Sequence, residues 1–171
     1  MARQALGAKV EDRLIDTMDL SVEMVGEFDL VLYAGVIYHI VHPFYVLSRL
    51  AEIAREALII ETVVDLQEID RPVAVFYPGE SKPGMPQNGW GVNIRLMRDM
   101  LAYLGFGHVL VTPEQEPVVR AIFHAYRAPN PQVVAAIAAQ SEPRCQVTPP
   151  APGSSPRKLL RRMWNRVRGG P

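Results

Sequence analysis

The residues best suited to chemistry lie in one stretch, Phe28–Pro43, with the sequence FDLVLYAGVIYHIVHP. Tyr38 and His39 form a polar aromatic pair inside an otherwise apolar segment. A phenol can donate a hydrogen bond, and an imidazole can exchange a proton near neutral pH. The small residues Ala34 and Gly35 precede the pair and would let the backbone approach a ligand closely. The stretch therefore predicts a binding or catalytic site, although a lone histidine in an apolar run is also typical of a hydrogen-bonded core residue.

The flanking elements would place this site at the end of a parallel strand. The apolar run Leu30–Tyr33 is typical of a fully buried parallel strand. Pro43 opens a helical pattern over Pro43–Ala57. Ligands of open α/β sheets lie just beyond the carboxyl ends of the strands, so the small residues and the Tyr–His pair would meet such a ligand. The expected buried face of the helix consists of Phe44, Leu47, Leu50, Ala51 and Ala54.

Phe28–Pro43 resembles the fourth strand and following loop of class I S-adenosylmethionine-dependent methyltransferases. Within that family the likeness is greater to the branch of the tRNA wobble-uridine carboxymethyltransferase. Four similar stretches follow in the same order as in the family: Leu58–Asp65, Val75–Glu80, Asn88–Phe106 and Val118–Arg127. The likeness as a whole covers about Ala2–Arg127. The resemblance implies an α/β fold, specifically a partial Rossmann-like methyltransferase fold with strands 3 to 7 of the seven-stranded sheet and a C-terminal antiparallel hairpin. It also implies S-adenosyl-L-methionine as the cofactor.

The resemblance gives roles to the loop Asp16–Asp19. Thr17 and Met18 match positions that contact the adenine of the cofactor, and Asp16 matches a partner of its exocyclic amine. An alternative remains open, in which Asp16 and Asp19 only cap the short turn Leu20–Val25.

The same resemblance places the methionine part of the cofactor beside the backbone of Ala34 and Gly35. Tyr38 matches a tyrosine that contacts the cofactor near the transferred group. His39 matches a neighbouring histidine and is a candidate general base. Tyr38 and His39 are therefore the candidate catalytic residues.

Four residues in or beside the irregular segment 65–91 would line the acceptor site. This segment is rich in proline and glycine. By resemblance, this loop covers the active site, and long loops in compact domains are typically functional or disordered. The matching residues are Tyr77, Asn88, Trp90 and Asn93. Tyr77 and Trp90 have a second interpretation, in which they pin the loop to the core.

Two charged residues fall inside predicted strands. Glu61 lies in Leu58–Val64 and either shapes the acceptor pocket or marks the end of the strand. Arg120 lies in Val118–Tyr126 and matches an arginine that binds the extra carboxylate of a carboxylated cofactor, a task that suits a bidentate, permanently charged guanidinium. The alternative for Arg120 is a salt bridge at the surface.

The remaining elements complete the expected sheet. Val10–Ile15 is a strand candidate, and Val92–Leu104 is a helix ended by Gly105. Val109–Thr112 and Val118–Tyr126 would form a β-hairpin.

The sequence lacks the glycine-rich turn and the acidic residue that accompany the first two strands of class I methyltransferases. We therefore expect an N-terminally truncated domain. The family's strand order is 3-2-1-4-5-7-6, so the remaining strands would keep the order 4-5-7-6. Val10–Ile15 would lose its neighbour, and Phe28–Tyr33 would have an unpaired edge.

Charge divides the chain into an acidic body and a basic end. Residues 1–128 carry 11 Lys and Arg against 17 Asp and Glu, whereas residues 129–171 carry 7 against 1. We expect a methyltransferase portion over 1–128, a proline-rich linker over 129–156 and a basic amphipathic tail over 157–171. The tail could contact an anionic surface or remain a disordered solubilising segment.

The composition excludes several other classes of protein. One cysteine, Cys145, precludes an internal disulfide, and no Cys/His cluster predicts a metal site. We expect a cytoplasmic protein, membrane-peripheral at most through its tail. The expected activity is methyl transfer to a small-molecule, sugar or tRNA acceptor, with a non-catalytic module that binds a partner or a membrane as the alternative. The oligomeric state stays open.

Overall fold

The computed structural model describes residues 7, 9–79, 89–114, 119–132 and 135. Two short 3₁₀ helices, Thr17–Asp19 and Ile37–His39, accompany the regular elements. The α-helices are α1 (Val22–Val25), α2 (Pro43–Ile53) and α3 (Ile94–Tyr103). The strands are β1 (Phe28–Ala34), β2 (Ala54–Val63), β3 (Ala74–Tyr77), β4 (Gly89–Val92), β5 (His108–Glu114) and β6 (Arg120–Tyr126).

Four strands form a mixed sheet in the order β1-β2-β6-β5. β1 runs parallel to β2, while β6 runs antiparallel to both β2 and β5. This order confirms the expected 4-5-7-6 arrangement and the C-terminal hairpin. The described residues thus form a mixed α/β structure of the partial Rossmann-like type.

The core lies on one face of this sheet. The register aligns Tyr33 with Ile60 and Ile60 with Phe123, so alternate residues of three strands share that face. Helices α2 and α3 pack their apolar residues against it, in one cluster of buried side chains. The residues with the least exposure include Val46, Leu47, Leu50, Leu58, Ile60, Met97, Leu101, Phe106 and Phe123.

β1 is not the fully buried strand that its apolar run predicts. Phe28, Leu30 and Leu32 are 46%, 55% and 68% exposed, whereas Val31 and Tyr33 pack against the core. The physical reason is position, because β1 lies at the edge of the four-stranded sheet and its outward face meets no other described element. The expectation of an unpaired β1 edge is confirmed among the described residues.

The predicted strand Val10–Ile15 is wrong, since these residues have no regular secondary structure. Val10 is exposed and Leu14 is fully exposed. A strand needs a neighbour to accept its backbone hydrogen bonds, and the described sheet offers none at this position.

The predicted helix Pro43–Ala57 ends early, at Ile53, and Ala54 already belongs to β2. Phe44, predicted to be buried, is half exposed. The second predicted helix begins later than expected, because Val92 closes β4 and Asn93 caps α3.

The segment predicted to be irregular contains an antiparallel hairpin, in which β3 pairs with β4. Gly91 of β4 is buried, and a methyl group on it would lie 2.9 Å from Cβ of Asp65, 3.1 Å from the Tyr77 ring and 3.3 Å from Val75. The first of these distances is shorter than a van der Waals contact. The glycine therefore permits a close approach of the hairpin to the chain after β2.

Gly91→Ala is expected to lower the free energy of unfolding by about 1–3 kcal/mol, the usual cost of overpacking a filled site. Urea unfolding followed by circular dichroism measures this change. Gly107→Ala is the matched control, because a methyl group there meets no atom within 4 Å. Equal effects at both glycines would contradict the steric explanation.

His124 of β6 makes stability depend on pH. Burial lowers the pKa of this imidazole, so the folded chain binds its proton less readily than the unfolded chain does. The stability that neutral His124 contributes is fully present above the ordinary histidine pKa of about 6.5. It is lost as the pH falls through the lower pKa of the folded state. Wild type should therefore lose more thermal stability between pH 7.5 and pH 5.5 than His124→Gln, as measured by melting temperatures. Equal losses would contradict this assignment.

None of the helices in the described ranges is both long and apolar enough to cross a membrane.

Candidate functional site

The carboxyl ends of β1 and β2 carry a cluster of polar side chains. Arg120, at the start of β6, donates a hydrogen bond from Nε to Glu61 at the end of β2 and forms an ion pair with it. Its guanidinium also lies 3.4 Å from the Tyr38 hydroxyl, and its central carbon lies 5.2 Å from the centre of the Tyr38 ring. Folding thus joins three residues that are far apart in the sequence.

The Glu61–Arg120 ion pair is less exposed to solvent than the surface salt bridge that the sequence suggests. The Glu61 side chain is 14% exposed and that of Arg120 is 34% exposed. The hydrogen bond to Glu61, more than any other contact, raises the pKa of Arg120, and burial only partly opposes this rise. Arg120 therefore keeps its charge, and its predicted contact with the carboxylate of a carboxylated cofactor stays a prediction.

Ala34 ends β1 and Gly35 follows it, beside this cluster. Gly35 has a φ of +74°, a left-handed conformation that glycine adopts without strain. Its N–H donates to the Glu61 carbonyl at 3.1 Å, while Ala34 is exposed. The chain thus turns sharply where the parallel strands end, and accessible backbone remains at the turn.

Tyr38 and His39 lie in the second 3₁₀ helix, directly after this turn. Their rings are 4.1 Å apart between centroids and are inclined by 47°. Tyr38 is half-buried, and His39 is exposed, so His39 is not the core histidine of the alternative interpretation. Its role as a general base stays a prediction.

The loop Asp16–Asp19 forms the first 3₁₀ helix. Asp16 accepts a hydrogen bond from the Met18 N–H at 2.9 Å and caps this helix. The expectation that Asp16 and Asp19 cap the turn Leu20–Val25 is therefore wrong, because Asp16 caps Thr17–Asp19 and Ser21 occupies the N-cap of α1. Contact of Asp16, Thr17 and Met18 with an adenine stays a prediction.

Thr17 lies close to Tyr33, the last aromatic residue of β1. The Tyr33 hydroxyl is buried, and none of the described residues offers it a partner with hydrogen-bond geometry. Burial raises the pKa of Tyr33, and the nearby Thr17 hydroxyl opposes the rise by a smaller amount. The loop Asp16–Asp19 and the end of β1 therefore meet at one side of the sheet.

An open hollow of about 550 Å³ lies between this loop and the start of α2. Met18 lies in its wall, as does Trp90 of β4, which was predicted to contact the acceptor. The hollow is predominantly apolar, and it is lined by Met18, Val41, His42, Pro43, Phe44, Tyr45 and Trp90.

A smaller, more enclosed cavity of about 90 Å³ lies between Tyr38, Trp90 and the core. Trp90 borders both spaces and contacts the ring of Phe76 across the β3–β4 hairpin, with 5.1 Å between centroids. The structure therefore brings Met18, Tyr38 and Trp90 around two adjoining spaces. Both interpretations of Trp90 fit this position, as a cavity wall and as an anchor of the segment.

Two predicted acceptor residues are engaged elsewhere. The Tyr77 hydroxyl hydrogen-bonds with the Asp65 carboxylate, which ties β3 to the end of β2. Asn93 is buried, and its amide bonds four backbone groups. These contacts explain both residues structurally, and their acceptor contacts stay predictions without geometric support. Asn88 lies outside the described residues.

Sequence reasoning missed the aromatic wall of the hollow, formed by Phe44 and Tyr45 at the start of α2. The sequence pattern predicts a helix over both residues, with Phe44 on its buried face. A usable signal was present, since two adjacent aromatic residues cannot both face the core of one helix.

Comparison with known proteins gives structural neighbours only. No protein-family model matches the chain, and no curated protein matches it. The N-terminal domain of EvdMO1, solved in the presence of SAH and D-fucose, superposes with a TM-score of 0.58 at 24% identity, covering 75% of this chain and 59% of that one. The same domain with SAH bound gives 0.58 at 23% identity, over 75% and 58%. Magnesium protoporphyrin IX methyltransferase (ChlM) from Synechocystis PCC 6803 with bound SAH gives 0.45 at 20% identity, over 67% and 49%.

The chain thus spans less than two thirds of the length of these neighbours. At such identities, the likeness to EvdMO1 establishes the fold.

Proposed function

We propose that this chain forms part of an S-adenosylmethionine-dependent methyltransferase and binds the cofactor at the carboxyl ends of β1 and β2. The observation that carries the proposal is the turn at Ala34 and Gly35, which ends β1 and leads to Tyr38 in the wall of the smaller cavity. The likeness to an SAH-bound domain supports it, because that domain has the same fold.

The residues present fit one side of such a cofactor. Ala34 and Gly35 would receive its methionine part, Tyr38 would lie near the transferred group, and Thr17 and Met18 would lie along its adenine. The sequence holds no glycine-rich turn of the expected type. We therefore propose that another polypeptide segment supplies the other side of the site, against the open edge of β1.

Bound S-adenosylmethionine would supply a methyl group on a sulfonium, ready for direct attack by an acceptor atom. This chemistry requires mainly alignment of the two reactants and exclusion of water. Trp90 and the start of α2 would contribute to both, since they line the hollow that adjoins the cavity of Tyr38. The methyl form is the cofactor that we propose, because Glu61 already pairs with Arg120.

We propose a small-molecule acceptor for this hollow. The described part of its wall contains apolar and aromatic side chains together with His42, and an uncharged ring would fit such a surface. Recognition of tRNA would require a basic surface along the nucleic acid, which the acidic body does not favour. A sugar or a tRNA is the alternative acceptor, and the tail lies outside the described residues.

Isothermal titration calorimetry with S-adenosylhomocysteine tests the proposal on the purified chain. We expect saturable binding that weakens by about tenfold in Tyr38→Phe, the effect of losing one hydrogen bond of about 1.4 kcal/mol. Tyr103→Phe is the matched control, because that tyrosine is largely exposed on α3. A folded chain that binds no S-adenosylhomocysteine would contradict the proposal and favour the non-catalytic module, for which the exposed edge of β1 offers a contact surface.

A further inference from the structure

We infer that Glu61 and Arg120 are positioning residues that hold Tyr38 in place at the strand ends. The inference rests on the proposed function, since it concerns a residue of the same site. It assigns a role to two charged residues to which the proposed binding of the methyl cofactor gives none.

The contacts form a continuous chain from the sheet to the loop. The Gly35 N–H donates to the carbonyl of Glu61, and the Glu61 carboxylate bonds Nε of Arg120. The other end of the guanidinium donates to the Tyr38 hydroxyl at 3.4 Å and lies over the Tyr38 ring. Glu61 therefore contacts both ends of the segment from Gly35 to Tyr38, directly at one end and through Arg120 at the other.

The chemistry of arginine suits this task. A guanidinium presents several N–H donors in a planar arrangement, so it can bind a carboxylate with one edge and a hydroxyl with another. The ammonium of a lysine has donors on a single atom and would not span both partners. Partial burial strengthens the arrangement, because the pair is shielded from solvent and salt.

Ile37 anchors the helix that carries Tyr38 in the core, but Tyr38 itself is only half-buried. The 3₁₀ helix that carries it is three residues long and has no side-chain N-cap bond, and such short turns are weakly stable alone. Tyr38 borders the inner cavity on one side. The bonds from Arg120 therefore add an anchor for the ring to its contact with His39.

The test combines two measurements on the full chain. The first is NMR of ring-labelled tyrosine, with Tyr38 assigned by its loss in Tyr38→Phe. We expect Arg120→Gln, Arg120→Lys and Glu61→Gln to shift the Tyr38 resonances. Arg95→Gln is the matched control, since Arg95 forms an exposed ion pair with Asp70 elsewhere on the body, and it should leave them unchanged.

The second measurement is the affinity for S-adenosylhomocysteine. We expect Arg120→Gln to weaken binding by about tenfold, like Tyr38→Phe, and the double variant to be no weaker than either single one, because both act through the same hydroxyl. Losses that multiply to about a hundredfold would overturn the inference, as would unchanged Tyr38 resonances in Arg120→Lys and Glu61→Gln.

The two measurements separate failure of the inference from failure of the proposed function. Absence of binding by the wild-type chain contradicts the proposed function, and the Tyr38 resonances then decide the inference alone. If Arg120→Gln fails to fold, Glu61→Gln serves in its place, because it preserves the shape of the side chain and removes only its charge.

Discussion

Asn93→Ala is expected to lower the free energy of unfolding by about 2–4 kcal/mol, from the loss of a helix cap and of partners for buried backbone groups. The Asn93 oxygen accepts from the N–H groups of Val73 and Leu96, at 3.2 and 2.9 Å. Its amide nitrogen donates to the carbonyls of Ile69 and Arg71, at 3.1 and 2.7 Å. One side chain thus caps α3 and holds the segment that leads into β3.

Asn93→Ser separates these two tasks. A serine hydroxyl can still cap α3, but it is too short to replace the amide donors to both carbonyls. We expect the free energy of unfolding of Asn93→Ser to lie between those of wild type and Asn93→Ala. Urea unfolding measured by circular dichroism and by tryptophan fluorescence gives the values. A loss below about 1 kcal/mol in Asn93→Ala would show that the buried groups find other partners.

Strands β2, β5 and β6 could be predicted because their signals are local, whereas β3 and β4 lie in a segment predicted to be irregular. Ile59, Ile60 and Val63 lie in a run of residues that favour extended structure, and a short connection between two such runs predicts the β5–β6 hairpin. Their order in the sheet is not a local property. It came from the resemblance, and the structure confirms it.

Burial of β1 could not be read from its residues, since burial depends on neighbours. Leu30 and Leu32 have the composition of a central strand, yet they lie on an open edge and an uncovered face. The same reasoning explains Val10–Ile15, a predicted strand that does not form without a partner.

The boundary between α2 and β2 was misplaced by local propensity. Ala54–Ala57 has the sequence AREA, which favours a helix. In the structure Ala57 pairs with Leu30 on one side and with Tyr126 on the other. Pairing on both sides of the strand outweighs a helix preference worth only fractions of a kcal/mol per residue.

The candidate site was predicted residue by residue but not as a unit. Tyr38, Glu61 and Arg120 each carried a signal, whereas their contact arises from the alignment of β2 with β6, which no local pattern specifies. Asn93 was assigned to the acceptor, although its place before an amphipathic stretch is a usual N-cap signal.

Arg127, directly after β6, joins the ends of two helices. Its guanidinium donates to the carbonyls of Ala51 and Ala54 at the end of α2, at 2.6 and 3.1 Å. It also lies 3.4 Å from the carbonyl of Leu104 at the end of α3, and 4.5 Å from the centre of the Phe106 ring. These terminal carbonyls have no partner within their own helices, and a cation there also interacts favourably with both helix dipoles.

Arg127→Met is expected to lower the free energy of unfolding by about 2–3 kcal/mol, since it keeps the apolar stem but removes the bonds to three carbonyls. Arg127→Lys should recover about half, because an ammonium keeps the charge but reaches fewer carbonyls. Arg98→Met on the exposed side of α3 is the control for removing one positive charge. Gly105→Ala approaches the same contact from the other side, because its methyl group would lie 2.7 Å from the guanidinium at a backbone φ of +92°. If Arg127→Met unfolds at the same urea concentration as Arg98→Met, the two helix ends are held by packing alone and Arg127 only covers them.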